Sequence, residues 1–224
     1  DGPWAHRRAY ATVIGAESGL TRMQGDSRGA YANDPWSHAD TYTALETTSA
    51  ILAALFNRER TGLGERIDIS MAETMLYVNE HAHDELCDAD VGPDLIRSFR
   101  PGDYPILQVG DGTTVVVSGH PAERGTFETM VETMDRPALL EDPRFTTVAS
   151  RMTHFAELKQ ELRDWAATIP DAEAFEERCG RFGLAAGVMR SVRELAESDW
   201  AEARGAIARV PDRIGGYLRI PNAP

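Results

Sequence analysis

Positive charge and cysteine are both scarce in this sequence. Lys and Arg number 23 against 36 Asp and Glu, a formal net charge of −13 over 224 residues. A surface of that sign repels nucleic acid and anionic membrane, so neither is an expected partner. It also repels anionic small molecules at long range, so an acidic ligand must meet a local patch of basic side chains or backbone amides. The two cysteines, Cys87 and Cys179, form no CxxC pair. That spacing argues against a zinc site or a disulfide framework and for free thiols in a reducing compartment. No apolar run approaches the length of a membrane span. No basic segment leads into an apolar one as in a secretory leader. The expected location is therefore cytoplasmic. The GxGxxG, Walker A and GxSxG motifs are missing as well, which removes the usual dinucleotide, P-loop and serine-hydrolase signatures.

The remaining composition, 42% hydrophobic and 26% charged, is that of a chain able to bury a core. The spacing predicts a helix over 6–18 ended by Gly19. A loop over 24–39, rich in Gly, Asp, Asn, Ser and Pro, then leads to His38-Ala39-Asp40. From Thr41 to Arg58 the pattern is helical and apolar around much of its girth, through Leu45, Ile51, Leu52, Leu55 and Phe56. Such a helix is expected to be buried. Asp40 stands at its expected N-cap. Gly62 and Gly64 close it, with Arg58 and Arg60 suited to the C-terminal dipole.

Arg66 to Ser70 alternates as a short strand does, and a helix is expected over 71–87. A polar stretch with Pro93 and Pro101 reads as a linker over 88–102. Ile106–Val109 and Thr113–Val117 flank Gly110-Asp111-Gly112, a hairpin signal. Further helices are expected over 122–134, 154–168, 171–181 and 191–203, with strand-like pieces at 184–189 and 214–220. The expected fold class is therefore α/β or α+β, with the best domain boundary near 88–102.

Asp40 is the leading candidate for chemistry. By pattern alone it is a helix N-cap. The same geometry also suits a reactive carboxylate, because backbone amides and the helix dipole favour negative charge there and the preceding loop gives access. Such a group can attack an acyl carbon and carry a covalent intermediate. His81, His83, Asp84, Glu85 and Asp88 cluster in sequence, but their spacing does not match HExxH, and an acidic solvated face is the expectation rather than a metal site. Cys179 follows two glutamates, a poor setting for a nucleophilic thiol. His6, Arg7 and Arg8 form a small basic cluster beside Tyr10, a setting that suits a phosphate and a planar ring.

The stretch from Ala39-Asp40 through Ile51-Leu52-Ala53-Ala54-Leu55 to Arg58-Glu59-Arg60-Thr61-Gly62-Leu63-Gly64-Glu65-Arg66-Ile67-Asp68-Ile69-Ser70 resembles the class III CoA-transferase family. That superfamily includes formyl-CoA transferase, the carnitine CoA-transferases and α-methylacyl-CoA racemase. Gly2-Pro3, Glu17-Ser18-Gly19-Leu20, Arg136-Pro137, Asp142-Pro143-Arg144-Phe145 and Ala185-Ala186-Gly187-Val188 extend the likeness from Gly2 to about Pro221.

The resemblance implies a fold made of part of a Rossmann-like large domain plus a small α+β domain of hairpin and helices. In those terms residues 1–90 belong to the large CoA-binding domain, 91–102 to the linker and 103–200 to the small domain. Residues 201–224 return toward the large domain. Measured against the family, the N-terminal nucleotide-fold segment and the extreme C-terminus are expected to be missing. So is the glycine-rich substrate loop of the oxalate-using enzymes, where Ser118-Gly119-His120-Pro121 stands instead.

The resemblance also implies the chemistry. Asp40 would form an aspartyl-acyl anhydride and then an aspartyl-CoA thioester. Arg8, Ala9, Tyr10 and Ala11 would contact CoA, with Arg8 where the family often has Lys. Coenzyme A and acyl-CoA would be substrates, with no permanently bound cofactor and no metal, a carboxylic acid would be the acceptor, and the assembly would be an intertwined homodimer. Two alternatives stay open. Family racemases carry a histidine where this chain has Tyr10, so an acyl-CoA racemase or epimerase is the less favoured enzyme, with His6 a weak substitute for the missing base. An incomplete family domain that binds without turnover is the other.

Overall fold

A computed structural model describes residues 2–80, 82, 86 and 103–222, and the chain divides into two units, Asp1–Asp103 and Tyr104–Pro224. Its class is mixed α/β. The expected linker falls wholly outside the described residues, as do Cys87 and the cluster of His81, His83, Asp84, Glu85 and Asp88.

The first unit is built on helices α1 (Ala11–Glu17), α2 (Leu20–Arg28), α3 (His38–Thr61) and α4 (Met71–Tyr77). Helix α1 starts later than the spacing predicts because residues 3–6 form turns and the N-cap, Tyr10, is extended at φ −136° and ψ 153°. Gly19, at φ +87°, turns the chain from α1 into α2. The expected loop over 24–39 is shorter than predicted, because α2 runs through Gly25 to Arg28. Gly25 is not a breaker here. A Cβ on it would lie 2.0 Å from Cδ1 of Tyr31, so it admits the Tyr31 ring, whose hydroxyl donates to Asp26 at 2.8 Å. Helices α1, α3 and α4 meet around Ile14, Ala39 and Met75, with Ala11, Leu20, Met71 and Ala72 packed against them.

Helix α3 departs from expectation on burial. Its packed side carries small residues, with Ala39 buried and Thr43, Ala50 and Ala54 half-buried. The Thr43 and Thr47 hydroxyls donate to the carbonyls one turn back, at 2.6 Å each, which satisfies them against the packed side. The large apolar side chains lie on the other faces. Leu45 and Leu52 are each 61% exposed and Phe56 66% exposed. The Arg60 guanidinium lies over the Phe56 ring at 5.7 Å. Small residues let α1 and α4 approach closely; the periodicity showed that the helix is apolar all round but not which face packs.

The predicted strand over Arg66–Ser70 is extended chain without a ladder partner among the described residues. Alternation makes a strand only when another strand pairs with it. The segment ends on Ser70, whose hydroxyl caps α4 by accepting from the Glu73 amide at 3.4 Å.

The second unit carries the predicted hairpin. Strands β1 (Ile106–Gln108) and β2 (Thr114–Val117) pair antiparallel with Leu107 opposite Val115. Strand β3 (Ala186–Val188) adds to β2, also antiparallel. The connecting turn needs Gly112 at φ +86°, and the Gly110 amide donates to the Ile169 carbonyl at 2.7 Å. Leu107, Val115 and Val117 form one side of the core with helices α5 (Thr126–Met134), α7 (Phe155–Ala166) and α8 (Ala172–Arg181), preceded by the short α6 (Val148–Thr153). Phe127, Met130, Leu158, Trp165, Phe175 and Cys179 fill it.

Arg151 is the buried polar hub of this unit. It is 3% exposed and donates to the carbonyls of Ala122 at 2.9 Å and Phe145 at 2.8 Å, with its guanidinium 4.5 Å from the Phe127 ring centre. The expected helix over 191–203 is two helices, α9 (Val192–Ala196) and α10 (Asp199–Arg204), because Ser191 and Ser198 each cap a new start. The predicted strand over 214–220 is displaced into β5 (Tyr217–Pro221), which pairs with β4 (Ile207–Pro211), a strand the pattern did not announce.

Candidate functional site

Asp40 lies in the first turn of α3, but not at its N-cap. Ser37 holds the cap position, His38 opens the helix, and Asp40 is its third residue. The correction follows from where the ladder begins. The Thr41 amide bonds back to the Ser37 carbonyl at 3.0 Å, so the helix extends one turn earlier than the apolar period suggested. The amides of His38, Ala39 and Asp40 precede that first bond and are not used by the helix ladder. The Ser37 side chain makes no capping hydrogen bond. Asp40 is exposed, and among the described residues its carboxylate has neither an ion pair nor a side-chain hydrogen bond.

The residues around it are more organised. His38 Nδ1 pairs with Asp34, one turn earlier in the loop. Asp34 also accepts from the Trp36 amide at 3.0 Å and from Gln24. Its partial burial pushes the carboxyl upward, but the Trp36 amide together with His38 and Gln24 outweighs that and holds it below the usual aspartate value. The His38 ring stacks on Tyr42, 5.5 Å away and within 7° of parallel, and Trp36 tilts against it at 5.8 Å. The sequence reading missed this pair. The signal was there as an Asp and a His four residues apart across a helix start.

The proposed CoA contacts divide between two features. Arg8 and Ala9 line a groove of about 1020 Å³, together with Trp4, Arg7, Glu17 and the segment from Asp68 to Glu73. Arg7 is already engaged, by an ion pair with Glu17 and by stacking over Trp4 at 4.8 Å. Arg8 is exposed, and its guanidinium has no ion-pair partner among the described residues. Tyr10 caps α1 through its backbone and is 64% exposed. Ala11 faces a second, very small pocket, which it shares with Asp34, His38 and Ala39. Asp40 lines neither feature. Helix α1 is the common element: Arg8 and Ala9 precede it, and its first residue packs near the start of α3.

Cys179, the nucleophile the sequence discounted, is fully buried in the second unit. Burial pushes its thiol up to about 11, with Arg178 opposing weakly, which keeps it an unreactive thiol. Among the described residues no His, Cys, Asp and Glu side chains gather as a metal site would require, and no helix is long and apolar enough to cross a membrane.

Comparison with known proteins gives a consistent result. The model of the family described as CoA-transferase family III matches residues 1–224. The chain is similar to formyl-CoA:oxalate CoA-transferase of Streptomyces avermitilis, at 26% identity over 249 residues, covering all of this chain and 60% of that protein. It is similar to succinyl-CoA:mesaconate CoA-transferase of Haloarcula hispanica, at 29% identity, covering 72% of this chain and 40% of that one. Among solved structures, Rv3272 of Mycobacterium tuberculosis aligns with a TM-score of 0.75 at 21% identity, over all of this chain and 59% of its own. A CAIB/BAIF family protein from Brucella suis aligns with a TM-score of 0.68 at 22% identity, over all of this chain and 61% of its own. The structural likenesses establish the fold. The chain spans about 60% of the length of the first curated relatives it matches.

Proposed function

The chain belongs to CoA-transferase family III, and from that premise we propose that the protein moves CoA from an acyl-CoA donor to a carboxylic acid, with Asp40 as the nucleophile. The observation that carries the assignment is the state of Asp40: an exposed carboxylate, unpaired among the described residues, in the first turn of a helix of 24 residues. The helix N-terminus favours its charge, and the lack of a partner among the described residues leaves both oxygens open to an acyl-CoA. Relatives named as using oxalate, mesaconate and glutarate support a carboxylic acid as acceptor.

The steps balance without oxidant, metal or net proton transfer. An Asp40 oxygen attacks the donor thioester carbon; the C–S bond breaks, giving an aspartyl-acyl anhydride and CoA thiolate. The thiolate attacks the Asp40 carboxyl carbon and expels the donor acid, leaving an aspartyl-CoA thioester. The acceptor carboxylate attacks that carbon and releases the thiolate, forming a second anhydride. The thiolate then takes the acceptor acyl group and frees Asp40. Each tetrahedral oxyanion needs donors, and the amides of the first turn of α3 are suited to supply them. Arg8 is suited to a CoA phosphate, with Ala9, Tyr10 and Ala11 beside it along the pantetheine or nucleotide. We read residues 1–90 as part of the large CoA-binding domain, 103–200 as the small domain, and the assembly as an intertwined homodimer.

Trapping tests the assignment. The whole protein is incubated with acyl-CoA donors, treated with hydroxylamine or borohydride, and mapped by mass spectrometry. The expected adduct is on Asp40. An adduct elsewhere, or full turnover by Asp40→Ala, overturns the nucleophile. Exchange of an α-proton with solvent without CoA transfer supports the racemase reading instead, and binding without either supports a non-catalytic domain.

A further inference from the structure

The geometry points to the Asp34–His38 pair as a positioning device for the nucleophile, a role that rests on the reading of Asp40 above. His38 is the first residue of α3 and Asp40 the third. Residues two apart on a helix do not face each other, so His38 is placed to act on Asp40 through the backbone of the first turn rather than by contact.

Three observations make the pair more than a surface ion pair. The first is that it is anchored at both ends. Asp34 collects three donors, from the Trp36 amide, His38 and Gln24, and Gln24 belongs to α2, a different helix. The second is that the imidazole is fixed on its face as well as its edge. It lies parallel to the Tyr42 ring one turn further along α3, with Trp36 against it. The third is that the N-cap side chain does not share the work: Ser37 makes no capping hydrogen bond. A carboxylate on Nδ1 fixes the orientation of an imidazole, and here a fixed imidazole fixes the residue that opens α3. The neighbouring Ala39 is 2% exposed and packs with Ile14 and Met75, which also holds this turn. The first turn of α3 is thus held by a small-residue contact and by the Asp34–His38 pair, and Asp40 extends from it.

The requirement on such a turn is positional. An error near 1 Å in a reacting group can cost about 100-fold in rate. His38→Ala removes the ring and the donor to Asp34. His38→Asn keeps a donor near the Nδ1 position and loses only the ring. Asp34→Ala removes the acceptor from the other end.

The experiment measures the single-turnover rate of Asp40 adduct formation in the whole protein, with kcat and the donor KM, for wild type and these three variants. His38→Ala and Asp34→Ala are each expected to slow adduct formation about 10- to 100-fold with less than about a twofold change in donor KM. His38→Asn is expected to restore most of the lost rate. Rates within about twofold of wild type in both alanine variants overturn the proposal, as does His38→Asn performing no better than His38→Ala. A rise in KM that accounts for the whole loss also overturns it, because that marks a binding role. Absence of any Asp40 adduct in the wild-type protein is a separate outcome: it removes the nucleophile and the positioning role with it. Circular dichroism on each variant separates these results from unfolding, and where one alanine variant does not fold the other, which breaks the pair from its opposite end, carries the same test.

Discussion

Replacing Asp40 by Asn should abolish turnover while leaving the fold almost untouched, an unusual combination for a residue inside a long helix. The size of the structural effect follows from its surroundings. The side chain is exposed and has no ion pair or side-chain hydrogen bond among the described residues, so the principal favourable interaction lost is that of a negative charge with the N-terminal end of α3. Such an interaction is worth about 0.3–1 kcal/mol. For a chain of this size each kcal/mol moves Tm by about 2–4 °C, so the expected fall is about 1–4 °C. The chemical effect is of another order. The amide cannot attack a thioester, and loss of a covalent nucleophile costs at least about 1,000-fold in kcat. Asp40→Glu keeps the charge and displaces it by one methylene; it should melt like wild type and turn over about 100-fold more slowly. The assays are thermal unfolding by circular dichroism and CoA transfer followed by chromatography of the thioesters. A fall in Tm near 10 °C for Asp40→Asn would show that the carboxylate is structural. Turnover within tenfold of wild type would refute the chemistry.

Other consequences can be checked in the second unit. Arg151→Ala leaves the Ala122 and Phe145 carbonyls without their buried donor and removes the guanidinium from Phe127; the expected loss is about 3–5 kcal/mol in urea unfolding, and a loss below about 1 kcal/mol would contradict the hub assignment. Cys179 links stability to alkaline pH. Between the ordinary thiol value of 9.0 and about 11 the unfolded chain sheds a proton that the folded one keeps. Its contribution is complete below that window and is lost as pH rises through it, on the order of 2–3 kcal/mol, and the pH dependence of Cys179→Ala should be flatter by that amount. At the acid end, the Arg144 side chain and then its amide outweigh a small burial effect and hold the Asp142 carboxyl below its usual 3.8. That contribution is present above 3.8 and is lost as pH falls through the lowered folded value, so Asp142→Asn should have a weaker acid transition than wild type in a pH titration of Tm.

Local patterns proved most informative where the structure is local. The hairpin on Gly110-Asp111-Gly112 and the helices at 155–166 and 172–181 follow from turn chemistry and apolar period, which act over a few residues. Caps placed but unread as such, at Ser191 and Ser198, explain why one expected helix is two. The family signature from Ala39 to Ser70 was legible because it is a run of neighbouring residues, and it drew attention to Asp40 where pattern alone offered an N-cap.

The acidic charge, the mixed α/β class, the family and the residue on which the chemistry is proposed to turn could all be read from the order of the amino acids. The folded chain was needed to show which face of α3 packs, that Arg66–Ser70 has no ladder partner among the described residues, that Ile207–Pro211 pairs with Tyr217–Pro221, and that Asp34 holds His38. Each of these is a choice of partner across the chain or across a helix boundary. Periodicity states what a segment can bury or bond; it does not state what comes to meet it. Asp40 shows both halves. Its identity was readable, but its place as the third residue of the helix, unpaired among the described residues and near a clamped histidine, depended on where the first backbone bond closed.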